Sequence, residues 1–246
     1  MELCVIWHKI KYFKKGAEPP AGVTIYRVPF GKMTYKEFLA SKRFVLESSG
    51  FDIDKTELNP MLYEFQKDIV RWALKKGKAC IFADCGLGKT PMQLSWAYQV
   101  HKHTGGKILI LAPLAVAEQT RREAEKFGYD AKVVEEQSEC IDGINITNYE
   151  KLDRFVANEF IGVVLDESSI LKSYSGKVRT AIIQNFHDTT YKLACTATPA
   201  PNDYMELSNH SEFCGVMTRA EMLSMFFVHD GCLLYTSPSP RDVEES

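Results

Sequence analysis

From residue 58 onward the apolar positions fall into alternating blocks of helical and strand-like spacing. Met61–Lys76 sets Leu62, Phe65, Ile69, Trp72 and Ala73 three or four residues apart, the period of one face of a helix. Gly77 supplies its stop, and Trp72 is assigned to the buried face. Ala79–Ala83 is a short apolar strand, Gly86–Lys89 a turn and Thr90–Val100 a helix. Lys107–Ala112 reads as a buried strand, and Ala115–Phe127 as a helix whose outer face carries Arg121, Arg122, Glu123 and Lys126. Ala131–Val134 and Ile144–Thr147 are strands, as are Ile161–Leu165 and Tyr191–Thr196, with a helix over Lys177–Phe186 between the last two. These strands are runs of apolar residues without polar alternation, and helices separate many of them. That pattern predicts a mainly parallel sheet covered on both faces, an α/β fold.

The two ends fit this pattern poorly. Residues 1–57 are set apart as an N-terminal extension, with a strand expected at Val23–Val28. Met33 opens a helical stretch and is an alternative start. Residues 232–242, Cys-Leu-Leu-Tyr-Thr-Ser-Pro-Ser-Pro-Arg-Asp, match the translation of a transposon-type sequencing adaptor. A scar of that kind is excluded from fold reasoning. Residues 232–246 are therefore expected to be artefactual, residues 58–231 to be the folded lobe, and the natural protein to continue past Gly231.

Composition narrows the classes. Of 246 residues, 45% are hydrophobic and 25% charged, which suits a globular chain and excludes a wholly disordered one. No apolar run reaches the roughly 18 residues of a membrane span. The lysines follow the apolar Met1–Ile6 stretch, the wrong order for a secretory signal. None of the seven cysteines forms a C-x-x-C pair, so neither zinc nor a redox dithiol is expected. Free thiols suit a reducing, cytoplasmic setting. His101 and His103 lack partners in a ligand pattern. A net charge of −2 gives no electrostatic case for nucleic-acid binding, which must rest on motifs.

The chemistry begins at Ala83-Asp84-Cys85-Gly86-Leu87-Gly88-Lys89-Thr90, between a predicted strand and a predicted helix. That is the setting of a phosphate-binding loop. Gly86 and Gly88 let backbone N–H groups turn inward, and the helix start adds its positive dipole end. Lys89 would reach the β- and γ-phosphates, and the Thr90 hydroxyl would ligate Mg²⁺. Ala83 stands where the usual first glycine would be. The second element is Val163-Val-Leu-Asp166-Glu167, an apolar strand ending in two carboxylates. Asp166 would hold the Mg²⁺ shell, and Glu167 would orient and deprotonate an attacking water. In a parallel sheet both elements lie at the strands' C-terminal edges and meet in one crevice.

Six segments in order resemble the front lobe of superfamily 2 helicases of the DEAD/DEAH-box type, in the Swi/Snf-like branch that includes phage-encoded members. They are Leu62-Tyr-Glu-Phe-Gln66, Asp84–Thr90, Leu109-Ile-Leu-Ala-Pro113-Leu114, Ile146-Thr-Asn148-Tyr149-Glu150, Asp166-Glu167-Ser-Ser with Leu171-Lys-Ser, and Leu193-Ala-Cys-Thr196-Ala-Thr198-Pro-Ala-Pro-Asn202. The resemblance covers about residues 58–204. It implies a P-loop NTPase fold, a RecA-like three-layer α/β/α lobe that binds ATP and Mg²⁺ on one edge. It implies that Gln66 contacts adenine and that Asp84, Cys85, Gly86, Leu87 and Gly88 surround the phosphates with Lys89 and Thr90. It also implies that the Pro113–Leu114 and Asn148–Tyr149 loops grip DNA, double-stranded in this branch, while Thr196 and Thr198 couple that grip to the γ-phosphate. Two departures stand out. Ser169 replaces the family's histidine after Asp-Glu, which puts coupling in doubt. Cys85 replaces a glutamate, which predicts a reactive thiol beside bound phosphate.

A motor of this kind needs a second RecA-like lobe carrying an arginine finger. After Asn202 only Arg219 and Arg241 remain, and no second set of parallel strands is predicted. This chain alone is therefore expected to bind ATP with little turnover. Other P-loop enzymes fit less well: the chain has no N-K-x-D motif of a GTPase and no L-S-G-G-Q motif of a transporter ATPase. A kinase would lack the Asp166-Glu167 pair. A non-catalytic, nucleotide-gated DNA-binding module stays open as an alternative.

Overall fold

The computed structural model describes residues 2–6, 9–13, 48–172, 176–202, 204–226, 228–229 and 235–236. The strand expected at Val23–Val28 and the helix expected from Met33 lie outside them. The chain divides into two compact units, Met1–Leu46 and Glu47–Ser246. In the first, β1 (Glu2–Ile6) and β2 (Lys9–Phe13) form an antiparallel pair.

The second unit runs α1 (Glu64–Lys76), β3 (Lys78–Phe82), α2 (Lys89–Thr104), β4 (Lys107–Ala112), α3 (Ala117–Lys126), β5 (Ala131–Val133), β6 (Ile144–Asn148), β7 (Phe160–Asp166), α4 (Gly176–Asn185) and β8 (Tyr191–Thr196). Then follow α5 (Leu207–Phe213), α6 (Arg219–Phe226) and the short antiparallel pair β9 (Val228–His229) and β10 (Tyr235–Thr236). Strands β3 to β8 form one sheet in the order β3-β8-β7-β4-β6-β5, every pairing parallel.

Two apolar clusters cover the two faces of this sheet. On one, Ile108, Ile110, Ile146, Val164 and Leu193 pack against α1, α2 and α3 through Val70, Leu74, Met92, Trp96 and Ala124. On the other, Leu109, Leu111, Val163 and Leu165 pack against Ile182, Phe186 and Phe213. Consecutive residues of β4 and β7 thus face opposite cores, so Ile108–Ala112 and Val163–Leu165 are apolar without alternation. The result is the expected three-layer α/β/α lobe.

From residue 58 onward the elements expected from the sequence are present, with shifted ends and one rotated face. Helix α1 starts at Glu64 rather than Met61, after Tyr63 in extended conformation. Its buried residues are Gln66, Val70, Ala73 and Leu74, whereas Trp72 is 48% exposed and Phe65 45% exposed. The assignment of Trp72 to the core is therefore wrong. The helix carries two overlapping apolar stripes, and the sheet takes the one with the smaller side chains. Helix α2 runs four residues past Val100, through His101, Lys102 and His103, and stops at Gly105 in the left-handed region. His101 caps locally, its Nδ1 2.9 Å from the Gly106 carbonyl oxygen, and His103 stacks on Phe51 with ring centres 3.8 Å apart.

Candidate active site

Strand β3 delivers the glycine-rich loop to the C-terminal edge of the sheet. The Ala83 N–H donates to the Thr196 carbonyl at 3.2 Å, which ties the start of the loop to the end of β8. Gly86 and Gly88 have φ of 83° and 75°, conformations that side chains with a Cβ rarely adopt. Open space surrounds Gly86, while a Cβ on Gly88 would stand 2.3 Å from Gln66 Nε2. Asp84 Oδ1 accepts from the Cys85 N–H at 2.7 Å, and Cys85 is exposed. The Lys89 ammonium folds back onto its own loop, donating to the carbonyls of Ala83 at 2.9 Å and Asp84 at 3.3 Å. A cation thus already sits in the concavity that the loop wraps. Thr90 follows, partly buried in the first turn of α2.

Gln66 is held by the protein itself. Its Oε1 accepts from the Tyr63 N–H and its Nε2 donates to the Leu87 carbonyl, each at 3.0 Å. The residue expected at adenine thereby fastens the start of α1 to the glycine-rich loop. One N–H and one lone pair of its amide remain for a base.

Strand β7 ends at Asp166, which is 7% exposed. Burial pushes its carboxyl above the usual range, and the neighbouring Glu167 charge adds to this. The Gln93 amide, the Glu167 N–H and the Lys89 ammonium act in the other direction. A buried carboxyl at a strand edge, with the Lys89 charge nearby, is an oxygen donor of the kind a hard divalent cation takes, and the Thr90 hydroxyl on the first turn of α2 is another of that kind.

Glu167 has φ of 51° and, among the described residues, is the one non-glycine in the left-handed region. Two hydroxyls hold its carboxylate there: Thr196 Oγ1 donates to Oε1 at 2.7 Å, and Ser169 Oγ donates to the same oxygen at 3.1 Å. The Thr198 N–H in turn donates to Thr196 Oγ1 at 3.1 Å. Thr196 is therefore joined directly to Glu167 and Thr198 through it, and Ser169 acts on the same carboxylate. Reading Ser169 only as a lost histidine missed that contact.

The residues expected to meet DNA lie along the same edge, on β4 and β6. Pro113 turns the chain out of β4, its carbonyl accepting from the Val116 N–H at 2.8 Å, and Leu114 is 66% exposed. Asn148 caps the short 3₁₀ turn Tyr149–Arg154 by accepting from the Glu150 and Lys151 N–H groups, each at 3.1 Å. Tyr149 is buried, and its hydroxyl donates to the Asp166 carbonyl at 2.7 Å. Its side chain thus joins the two halves of the edge rather than facing solvent. Sequence reasoning also missed His210. From α5 it places Nε2 3.0 Å from Ser168 Oγ and packs edge-on to Phe82, ring centres 5.3 Å apart. Burial pulls its imidazole down to about 4.

The family model described as type III restriction enzyme, res subunit, matches residues 55–201, more than half of the chain. The chain belongs to this family. The Res-subunit family match begins before α1 and ends just past β8, so it spans the glycine-rich loop, Asp166-Glu167 and Thr196–Thr198 but not α5. Solved structures give the same fold. The Sulfolobus solfataricus SWI2/SNF2 ATPase core in complex with dsDNA is 23% identical with a TM-score of 0.59, over 71% of this chain and 40% of that one. The UvsW helicase from bacteriophage T4 is 16% identical with a TM-score of 0.53, over 76% of this chain and 67% of that one. The Pyrococcus furiosus Hef helicase domain is 16% identical with a TM-score of 0.54, over 64% and 38%. No curated protein matches the chain. This Res-subunit family member spans about two-fifths of the Sulfolobus chain, and its fold is the RecA-like lobe of superfamily 2 helicases. Among the described residues, no helix is long and apolar enough to cross a membrane.

Proposed function

We propose that this chain is the ATP-binding lobe of an ATP-dependent DNA helicase or translocase. The observation that carries the reading is the convergence of three adjacent strand ends. The glycine-rich loop leaves β3, Thr196 ends β8, Asp166 ends β7, and Lys89 is turned into the loop between them.

Lys89 would leave the Ala83 and Asp84 carbonyls for the β- and γ-phosphate oxygens, exchanging neutral acceptors for charged ones. The N–H groups from Gly86 to Thr90 would line the phosphates, with the dipole of α2 behind them. Thr90 and Asp166 would hold Mg²⁺, which when bound draws charge off the phosphate oxygens. Glu167 would orient and deprotonate the attacking water. Its two hydroxyl partners fix where that carboxylate stands, and they report the presence of the γ-phosphate to the β8 end through Thr196 and Thr198. Tyr149, hydrogen-bonded to the Asp166 carbonyl, links this half of the edge to the Pro113–Leu114 and Asn148–Tyr149 loops proposed to contact duplex DNA.

The site is an open edge. Two cavities, about 430 Å³ beside Arg179 and Arg219 and about 380 Å³ beside Phe160 and Thr190, lie elsewhere. A second RecA-like lobe would close over the nucleotide and bring an arginine, which no described residue supplies at this edge. Arginine fingers are worth about 10³–10⁵ in rate. The 246-residue chain is accordingly expected to bind Mg-ATP and to hydrolyse it slowly. Equilibrium binding of a fluorescent ATP analogue and single-turnover hydrolysis test this together. Lys89→Ala should lose binding, whereas Glu167→Gln should keep binding and lose the residual hydrolysis. A Glu167→Gln chain that hydrolyses ATP like the parent chain would favour the nucleotide-gated, non-catalytic module instead.

A further inference from the structure

Helix α2 carries a buried amide that makes no hydrogen bond of ordinary length, although it stands close enough to the Asp166 carboxyl to favour its charged form. Gln93 is fully buried, and neither its Nε2 nor its Oε1 has a hydrogen-bond partner. It follows Lys89 by four residues and Thr90 by three, so it shares their face of the helix. On that face its amide lies beside the Asp166 carboxyl. Leucine fits this helix well, as Leu94 next to it shows, and would leave no orphaned polar atoms. An amide kept there at a cost, and pointed at the proposed metal ligand, signals a polar guest that arrives with the nucleotide.

We propose that Gln93 is a positioning residue for the metal: its amide hydrogen-bonds a water of the Mg²⁺ shell held by Thr90 and Asp166. An amide suits this task because it offers both a donor and an acceptor and carries no charge to compete with the cation. Other unpartnered buried atoms have different surroundings. The Tyr129 hydroxyl and Ser95 Oγ lie together, Thr147 lies on β6, Trp96 Nε1 belongs to the apolar cluster, and His210 lies against Ser168 and Phe82. This inference rests on the reading of the loop as a Mg-nucleotide site.

Gln93→Leu in the 246-residue chain separates the two roles, because stability and ligand binding should move in opposite directions. The melting temperature without nucleotide should hold or rise. Affinity for ATPγS in the presence of Mg²⁺ should fall about tenfold, the effect of one lost hydrogen bond to an ionic assembly. In EDTA the parent chain and the variant should bind ATPγS equally. Gln93→Met, closer in shape, should repeat the result and serves if the leucine chain fails to fold. Equal Mg-ATPγS affinity in parent and variants, with Lys89→Ala losing binding, overturns the role of Gln93 and leaves the nucleotide site standing. Retention of ATPγS by Lys89→Ala overturns both. A variant that melts lower and loses nucleotide equally with and without Mg²⁺ shows a structural glutamine and also overturns the proposal.

Discussion

At the scale of single residues, the site is organised by groups whose preferred states conflict with their surroundings. Glu167 sits in a backbone region that costs a non-glycine residue about 1 kcal/mol or more, and two hydroxyls keep it there. His210 shows the same tension with a measurable consequence. Its imidazole is neutral in the folded protein down to about pH 4, against an ordinary value near 6.5, because burial opposes the charge. The unfolded chain takes up that proton first, so acid favours unfolding across the window from about pH 6.5 to about 4. The contribution reaches as much as about 3 kcal/mol at the acid end. Urea denaturation at pH 7 and pH 5 should show about 2 kcal/mol of this loss, and His210→Gln should flatten the difference. An unchanged slope in the variant would assign the acid sensitivity to other groups.

At the scale of elements, the two tryptophans of α1 and α2 make a direct comparison. Trp72 is half exposed, and Trp96 is fully buried among the residues facing the sheet. Trp96→Ala should cost about 3–5 kcal/mol in chemical denaturation, and Trp72→Ala less than about 1 kcal/mol. The same pair shows what could be read from the residues beforehand. Strands β4 and β7 were legible because their continuous apolar runs suit a doubly covered sheet. The glycine-rich loop was legible because few other uses fit Gly-Leu-Gly-Lys-Thr between a strand and a helix. The rotation of α1 was not, since Phe65, Ile69 and Trp72 make as good a stripe as Val70, Ala73 and Leu74. Only docking against the sheet decides between them. Contacts between distant segments were equally out of reach: nothing local links His210 to Ser168 or Tyr149 to Asp166.

For the whole molecule, the order of strands carries a consequence for how the chain is made. Strand β3, which delivers the glycine-rich loop, pairs in the sheet with β8 alone, more than a hundred residues later. A growing chain that has emerged from the ribosome through α4 still leaves β3 unpaired, with the phosphate loop attached to a loose edge. Such distant pairing slows folding and prolongs the exposure of apolar strands. Nascent chains halted at residue 190 should therefore stay open to protease around residues 78–90, and chains released past residue 200 should become resistant there. Protection arriving at the shorter length would mean that β3 docks on its helices before its strand partner exists. The nucleotide site thus closes only once β8 has been made, although its signature is read early in the message.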